Sequence, residues 1–219
     1  RRDLDQRNTL DRLDQNQRRA YQMVVSGKVQ KAFDMSQEAA TTRDAYGRCS
    51  VGEKALLARR LVENGCRVIV PTLISRDSEF SGDPRVRFTN QPHREFIYRM
   101  AFELGRHVIG YEVQKVQAAI DALGPVGKTS LPLGVVGIGE GGLLAMHSAA
   151  VDTRITATMI SGYFDQRNEV WREPIYRNVW SQLTEFGDAE LAGLIAPRSL
   201  VIEACLLYTS DAADDTPCV

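Results

Sequence analysis

From Val68 onward, short apolar runs alternate with amphipathic stretches. Val68-Ile69-Val70-Pro71 reads as a buried strand, and residues 133–138, 155–160 and 199–202 read as three more. Asn90 with Pro92 suits a helix start, after a loop long enough to be functional. Val113, Val116, Ile120 and Leu123 form a helical stripe stopped by Gly124-Pro125, and residues 143–150 form a helix behind the second strand. Strands this apolar, separated by helices, predict an α/β core with a mostly parallel sheet covered on both faces.

Before Val68 the pattern is helical and polar. Leu10, Leu13, Ala20 and Val24 stand at mostly helical spacings among Asp, Gln and Arg. A second helix fits residues 53–63, with Leu57 and Leu61 on one face and Asn64-Gly65 as its stop, while the polar stretch 34–52 predicts a loop. The alternation also ends abruptly after Ala204. The chain therefore divides into a helical segment over 1–65, an α/β core over about 66–204, and a tail over 205–219.

Composition narrows the function classes. A net charge of -1 gives no electrostatic reason to expect nucleic acid or an anionic membrane as partner. No apolar run approaches the roughly 20 residues of a membrane-spanning helix. Cys49, Cys66, Cys205 and Cys218 are too scattered for a metal-ligand spacing, so isolated thiols are expected and no metal. Nothing in the chain calls for a cofactor. The start at Arg1-Arg2-Asp3 reads as the inside of a longer or processed protein.

The most specific local feature is Gly137-Ile138-Gly139-Glu140-Gly141-Gly142, between a predicted strand and a predicted helix. As G-x-S-x-G, the nucleophile elbow, Gly137 and Gly141 are the flanking glycines and Gly139 fills the nucleophile position. As G-x-G-x-x-G, the dinucleotide fingerprint, Gly137, Gly139 and Gly142 would admit a pyrophosphate, with Asp165 near the distance expected of a ribose-binding acid. Context favours the elbow, because a strand and a long helical segment precede the turn. Residues 149–155, which include Asp152-Thr153-Arg154-Ile155, are similar to a "DPRI" step in hydrolases. Leu194-Ile195-Ala196-Pro197-Arg198-Ser199-Leu200-Val201-Ile202 is similar to the "IAPRPLLI" strand that precedes their catalytic acid.

Further stretches make the resemblance narrower. Asn90-Gln91-Pro92-His93-Arg94-Glu95-Phe96, Gly105-Arg106-His107, Gly110-Tyr111-Glu112, Ser161-Gly162-Tyr163-Phe164 and Glu173-Pro174-Ile175-Tyr176-Arg177-Asn178-Val179-Trp180 resemble a family of large bacterial acetylxylan-esterase-like or dienelactone-hydrolase-like proteins. The resemblance implies an α/β-hydrolase core and hydrolysis of a carbohydrate ester or similar small ester.

The first zone resembles something else. Lys31-Ala32-Phe33-Asp34-Met35-Ser36, Arg43-Asp44-Ala45-Tyr46-Gly47-Arg48 and Leu56-Leu57-Ala58-Arg59-Arg60-Leu61-Val62-Glu63 are similar to an uncharacterised, exported sulfatase-like family. Together the two resemblances imply an exported bacterial protein and a chimera joined within residues 57–67, where both families carry a helix followed by a strand. Cys205-Leu206-Leu207-Tyr208-Thr209-Ser210-Asp211-Ala212-Ala213-Asp214 resembles a translated sequencing-adapter read-through and is left out of fold reasoning.

Acyl transfer needs a nucleophile, a base with an orienting acid, and an oxyanion hole. Gly139 leaves the nucleophile slot vacant. In an intact elbow the Glu140 backbone N–H would be one oxyanion donor, and its carboxylate is expected to be solvated or salt-bridged. None of His93, His107 and His147 stands where the triad base belongs. The family's acid and histidine would follow Ile202. Its second oxyanion donor would come from the loop after a strand preceding Val68. Arg85, Arg87 and Arg94 are expected on a solvated face, with binding of an acidic substrate group as the alternative. Trp171, Tyr176 and Trp180 are candidates for stacking on a sugar ring. The expectation is an inactive esterase-like core. A non-catalytic carbohydrate-binding or interaction module is the alternative, and a nucleotide-binding domain stands behind both. A carbohydrate or small ester is the expected ligand.

Overall fold

The computed structural model describes residues 31–47, 50–76, 92–124 and 132–203. Helix α1 (Ala40–Tyr46) packs on α2 (Ser50–Glu63). Helices α3 (His93–Glu103) and α4 (Val108–Ala122) follow. Then come β1 (Gly134–Ile138), α5 (Glu140–Val151), β2 (Ala157–Ser161), the short α6 (Gln182–Glu185), α7 (Asp188–Ile195) and β3 (Ser199–Glu203).

The strands form a parallel sheet in the order β1-β2-β3, so each neighbour is reached by a crossover. The register aligns Gly134 with Ala157 and Ser199 at one end, and Ile138 with Ser161 and Glu203 at the other. Helix α5 packs on β1, β2, α4 and α7. Being covered on several sides explains why it is apolar nearly all round, with Leu143, Leu144, Ala145, Met146 and Ala149 all buried. Ile155, Ile160, Ile195 and Val108 complete the centre of the core. A cis Ala196–Pro197 peptide leads from α7 into β3.

Three expected strands, the helix expected over 143–150 and the helical stripe ending at Leu123 are present, each within a few residues of its predicted span, whereas α6 and α7 were not expected. Three expectations are corrected. Val68-Ile69-Val70-Pro71 is not a buried strand: it is unpaired, and Ile69 and Val70 are 44% and 57% exposed. A strand needs a neighbour for its backbone groups, and among the described residues the run has none; α4 side chains hold the chain just after it. Lys115 Nζ donates to the Thr72 carbonyl at 2.7 Å, and Glu112 Oε1 accepts from the Ile74 N–H at 2.7 Å.

Among the described residues the second face of the sheet is covered only in part: Ala157 and Ser161 on β2 are buried there, but β1 is open. Alternation puts Val135, Gly137, Thr158 and Ile160 toward α5, and leaves Val136 and Ile138 on the other face, each 44% exposed. Residues 34–52, expected as a loop, hold a 3-10 turn (Met35–Gln37), all of α1 and the start of α2. The Asp34 carboxylate caps the turn by accepting from the Ser36 N–H at 3.1 Å. Gly52 then lets α2 start against the end of α1, since a Cβ there would lie 2.2 Å from the Tyr46 carbonyl oxygen.

The helix expected around Leu10 to Val24, together with Cys49, Arg85, Arg87, Asn90, Cys205, Cys218 and the segment 205–219, lies outside the described residues. Among the described residues, Cys66 is a free thiol. No described helix is long and apolar enough to cross a membrane.

Candidate functional site

The glycine turn joins β1 to α5 at the carboxyl end of the sheet. Gly139 adopts φ 56° and ψ -119°, a combination that side-chain-bearing residues rarely populate. Its N–H donates to the Ser161 carbonyl at 2.8 Å, and its carbonyl accepts from the Gly142 N–H at 2.8 Å. This fixes the turn between two strand ends and the first turn of the helix.

The other glycines differ in what they do. A Cβ on Gly137 would stand 1.9 Å from the Gly141 carbonyl oxygen, and one on Gly142 would lie 3.0 Å from Tyr163 Cβ and 3.2 Å from the Ser161 carbonyl oxygen. A Cβ on Gly141 would meet nothing within 4 Å. Gly137 is therefore required by contact with the turn itself, Gly142 by close packing on β2, and Gly139 by its backbone angles. Gly141 is required by none of these.

Glu140, the first residue of α5, is 6% exposed. One carboxylate oxygen accepts from Arg94 Nη2 at 3.0 Å and the other from Arg177 Nε at 2.7 Å. These bonds belong to a longer chain of buried charges. Arg94 Nη2 also lies 2.7 Å from Glu112, and both residues are fully buried. Arg177 reaches Glu173, which pairs with Arg167, and Arg167 Nε donates to Asp188 at 2.8 Å. Arg94 and Arg167 also sit against the Tyr176 and Tyr163 rings.

Three guanidiniums thus alternate with four carboxylates. Burial alone would lower the pKa of Arg94 and Arg177, but the carboxylates beside them more than offset it and hold both above the ordinary value. Burial pushes the Asp188 carboxyl up, against the pull of Arg167. Removing one partner of such a pair leaves an uncompensated buried charge, which costs about 3–5 kcal/mol.

Sequence reasoning left Glu140 either solvated or salt-bridged; it is salt-bridged, within a network that the sequence did not reveal. Arg94, expected on a solvated face, is instead fully buried between Glu112 and Glu140. One local signal was available: Glu112 stands on the same helical face as Ile109, Val116 and Ile120, a charge in a core-facing stripe.

The aromatic candidates are split. Tyr176 is buried against Arg94, while Trp171 and Trp180 are 71% and 80% exposed. Arg172 lies over the Trp171 ring at 5.0 Å. His107 caps α4, its Nδ1 accepting from the Ile109 N–H at 3.1 Å while Nε2 donates to the Asn178 carbonyl at 3.1 Å. His147 lies 2.8 Å from the Leu143 carbonyl and 3.0 Å from Gln182 Oε1. His93 is the first residue of α3. Asp165 accepts from the Gln166 N–H at 2.7 Å.

Sequence reasoning also missed a polar pair at the carboxyl ends of β2 and β3. The Ser161 hydroxyl donates to Glu203 at 2.6 Å, while the carbonyl of the same residue holds Gly139. Among the described residues, no group of three His, Cys, Asp or Glu could hold a metal ion.

Chemically, the turn offers backbone donors and no side chain at its apex. The Gly142 amide is taken by the Gly139 carbonyl, whereas those of Glu140 and Gly141 lack acceptors within the helix and lie at its positive dipole end, so they suit a negatively charged oxygen.

Residues 2–74, a third of the chain, match the family model described as "Protein of unknown function (DUF1501)". That stretch takes in the first zone and runs on to Ile74, through the unpaired segment beside α4. No curated protein and no solved structure matches the chain.

Proposed function

We propose that residues 66–204 form a partial esterase-like α/β-hydrolase core that does not itself turn over esters. The observation that carries this reading is Gly139, which holds the angles of a sharp strand-to-helix turn, φ 56° and ψ -119°, at the position where an elbow would carry its nucleophile. With no side chain there, no acyl intermediate can form on that residue. The neighbouring carboxylate is unsuited to replace it, because both Glu140 oxygens are held by buried guanidiniums. His107 and His147 each have both ring nitrogens at hydrogen-bonding distance of fold groups. The ligand class this reading implies is a carbohydrate or small ester.

The test is turnover of p-nitrophenyl acetate and of acetylated xylo-oligosaccharides by the intact chain. Rates at background, with no labelling by a fluorophosphonate, are expected. Hydrolysis that disappears in Glu140→Gln, a variant checked to be folded, would overturn the reading.

A second reading, a non-catalytic carbohydrate-binding module, is favoured by the exposed indoles of Trp171 and Trp180. Titration of tryptophan fluorescence with xylo-oligosaccharides tests it. A saturable change lost in Trp171→Ala or Trp180→Ala supports the module, and a flat titration removes it.

A further inference from the structure

Residues 162–187, between β2 and α7, contain two 3-10 turns and the four-residue α6. Much of this segment's apolar surface faces outward: Trp171, Ile175, Trp180, Leu183 and Phe186 are all at least 40% exposed. Its attachment to the body combines Tyr163, Tyr176, Phe164 and Val179, which sit in or against the core cluster, with a set of polar bonds. Arg177 donates to Glu140 on α5, Arg167 donates to Asp188 on α7, and the Asn178 carbonyl accepts from His107 on α4. Gln182 lies within hydrogen-bonding distance of His147 on α5. Tyr163 and Tyr176 are its two buried aromatic anchors.

The same segment sits against the glycine turn. Tyr163 limits the space over Gly142, and Arg177 binds the residue next to Gly139.

From this we infer that residues 162–187 form a strap over the glycine turn, latched by the Arg177–Glu140 pair, which opens while the sheet stays folded. Two features make opening feasible. Glu140 is held from both sides, so release of Arg177 leaves its carboxylate paired with Arg94 on α3. The closed latch is also incompletely bonded: Arg177 Nη2 and Asp188 Oδ1 are buried without a hydrogen-bond partner, and water would satisfy both once the strap lifts. Segments with few buried apolar contacts open at lower free energy than core strands, and five of the strap's large apolar side chains lie exposed outside the core cluster. Opening bares the first amides of α5 and the strap's inner face. The inference does not depend on the esterase reading, since it concerns closure and not chemistry.

Hydrogen exchange of the intact chain, read by mass spectrometry, tests it. In Arg177→Met, amides in 163–187 should exchange at least about tenfold faster, as expected for loss of a charge-assisted bond. Amides of β1, β2 and β3 should change by less than about twofold, and Arg177→Lys should restore part of the protection. Equal acceleration of strap and strands, or no change in the strap, overturns the inference. If Arg177→Met does not fold, the unmodified chain in sub-denaturing urea decides. A strap opening distinct from that of the strands is expected, and one shared opening overturns the proposal.

Discussion

Gly137 and Gly141 look equivalent in the sequence, since each stands two residues from Gly139. Their surroundings are opposite, and two substitutions should separate them. Gly137→Ala places a Cβ 1.9 Å from a backbone oxygen and should lower stability by about 3 kcal/mol, the upper end of ordinary overpacking. Gly141→Ala meets open space within the first helical turn and should be neutral or gain up to about 1 kcal/mol. Urea unfolding of both variants checks the contrast, and a similar loss in both would contradict the contact argument. His107 gives a second expectation at this scale. Burial lowers its pKa below the ordinary 6.5. The folded protein therefore binds this proton less readily than the unfolded chain. The associated stability is present above pH 6.5 and is lost as pH falls through the lowered folded value. His107→Ser keeps a helix-capping oxygen but does not titrate, so the loss of stability between pH 7 and pH 5 should shrink.

Among the elements, those with their own periodicity were legible. The stripe on α4 and the apolar runs of β1, β2 and β3 depend on residues close together in the chain, and each appears near its predicted place. The run at Val68 was not, because apolar content alone does not supply a strand with a neighbour. Helix α1 was missed for the converse reason: its seven residues are too few to be stable alone, and packing on α2 sustains it. In β1, Val136 stands exposed on a strand with no charge and no proline to discourage pairing with another chain. Val136→Lys should reduce self-association in light scattering without lowering the melting temperature. A large drop in that temperature would mean the face is covered after all.

At the scale of the whole molecule, the described residues before Gly65 pack mainly on one another. Ala32 and Leu56 are buried there but stand apart from the cluster that contains Leu143, Met146 and Ile160. The family match, ending at Ile74, belongs largely to this first part. Calorimetry of the intact chain should therefore show two unfolding transitions, and a single one would make the two parts one cooperative unit.

The sequence by itself determined the alternation of strand and helix and the glycine-rich crossing between β1 and α5. It also determined that position 139 carries no side chain. These are local properties, set by side-chain spacing along a few turns of chain. Only the tertiary structure decided which charges are buried, since Glu140 meets Arg94 and Arg177 across 46 and 37 residues of sequence. The same holds for the missing partner of Val68 and for the split of Tyr176 from the two exposed tryptophans. Burial and pairing are set by neighbours in space, and beyond the place of Glu112 in a core-facing stripe the spacing along the chain does not encode them.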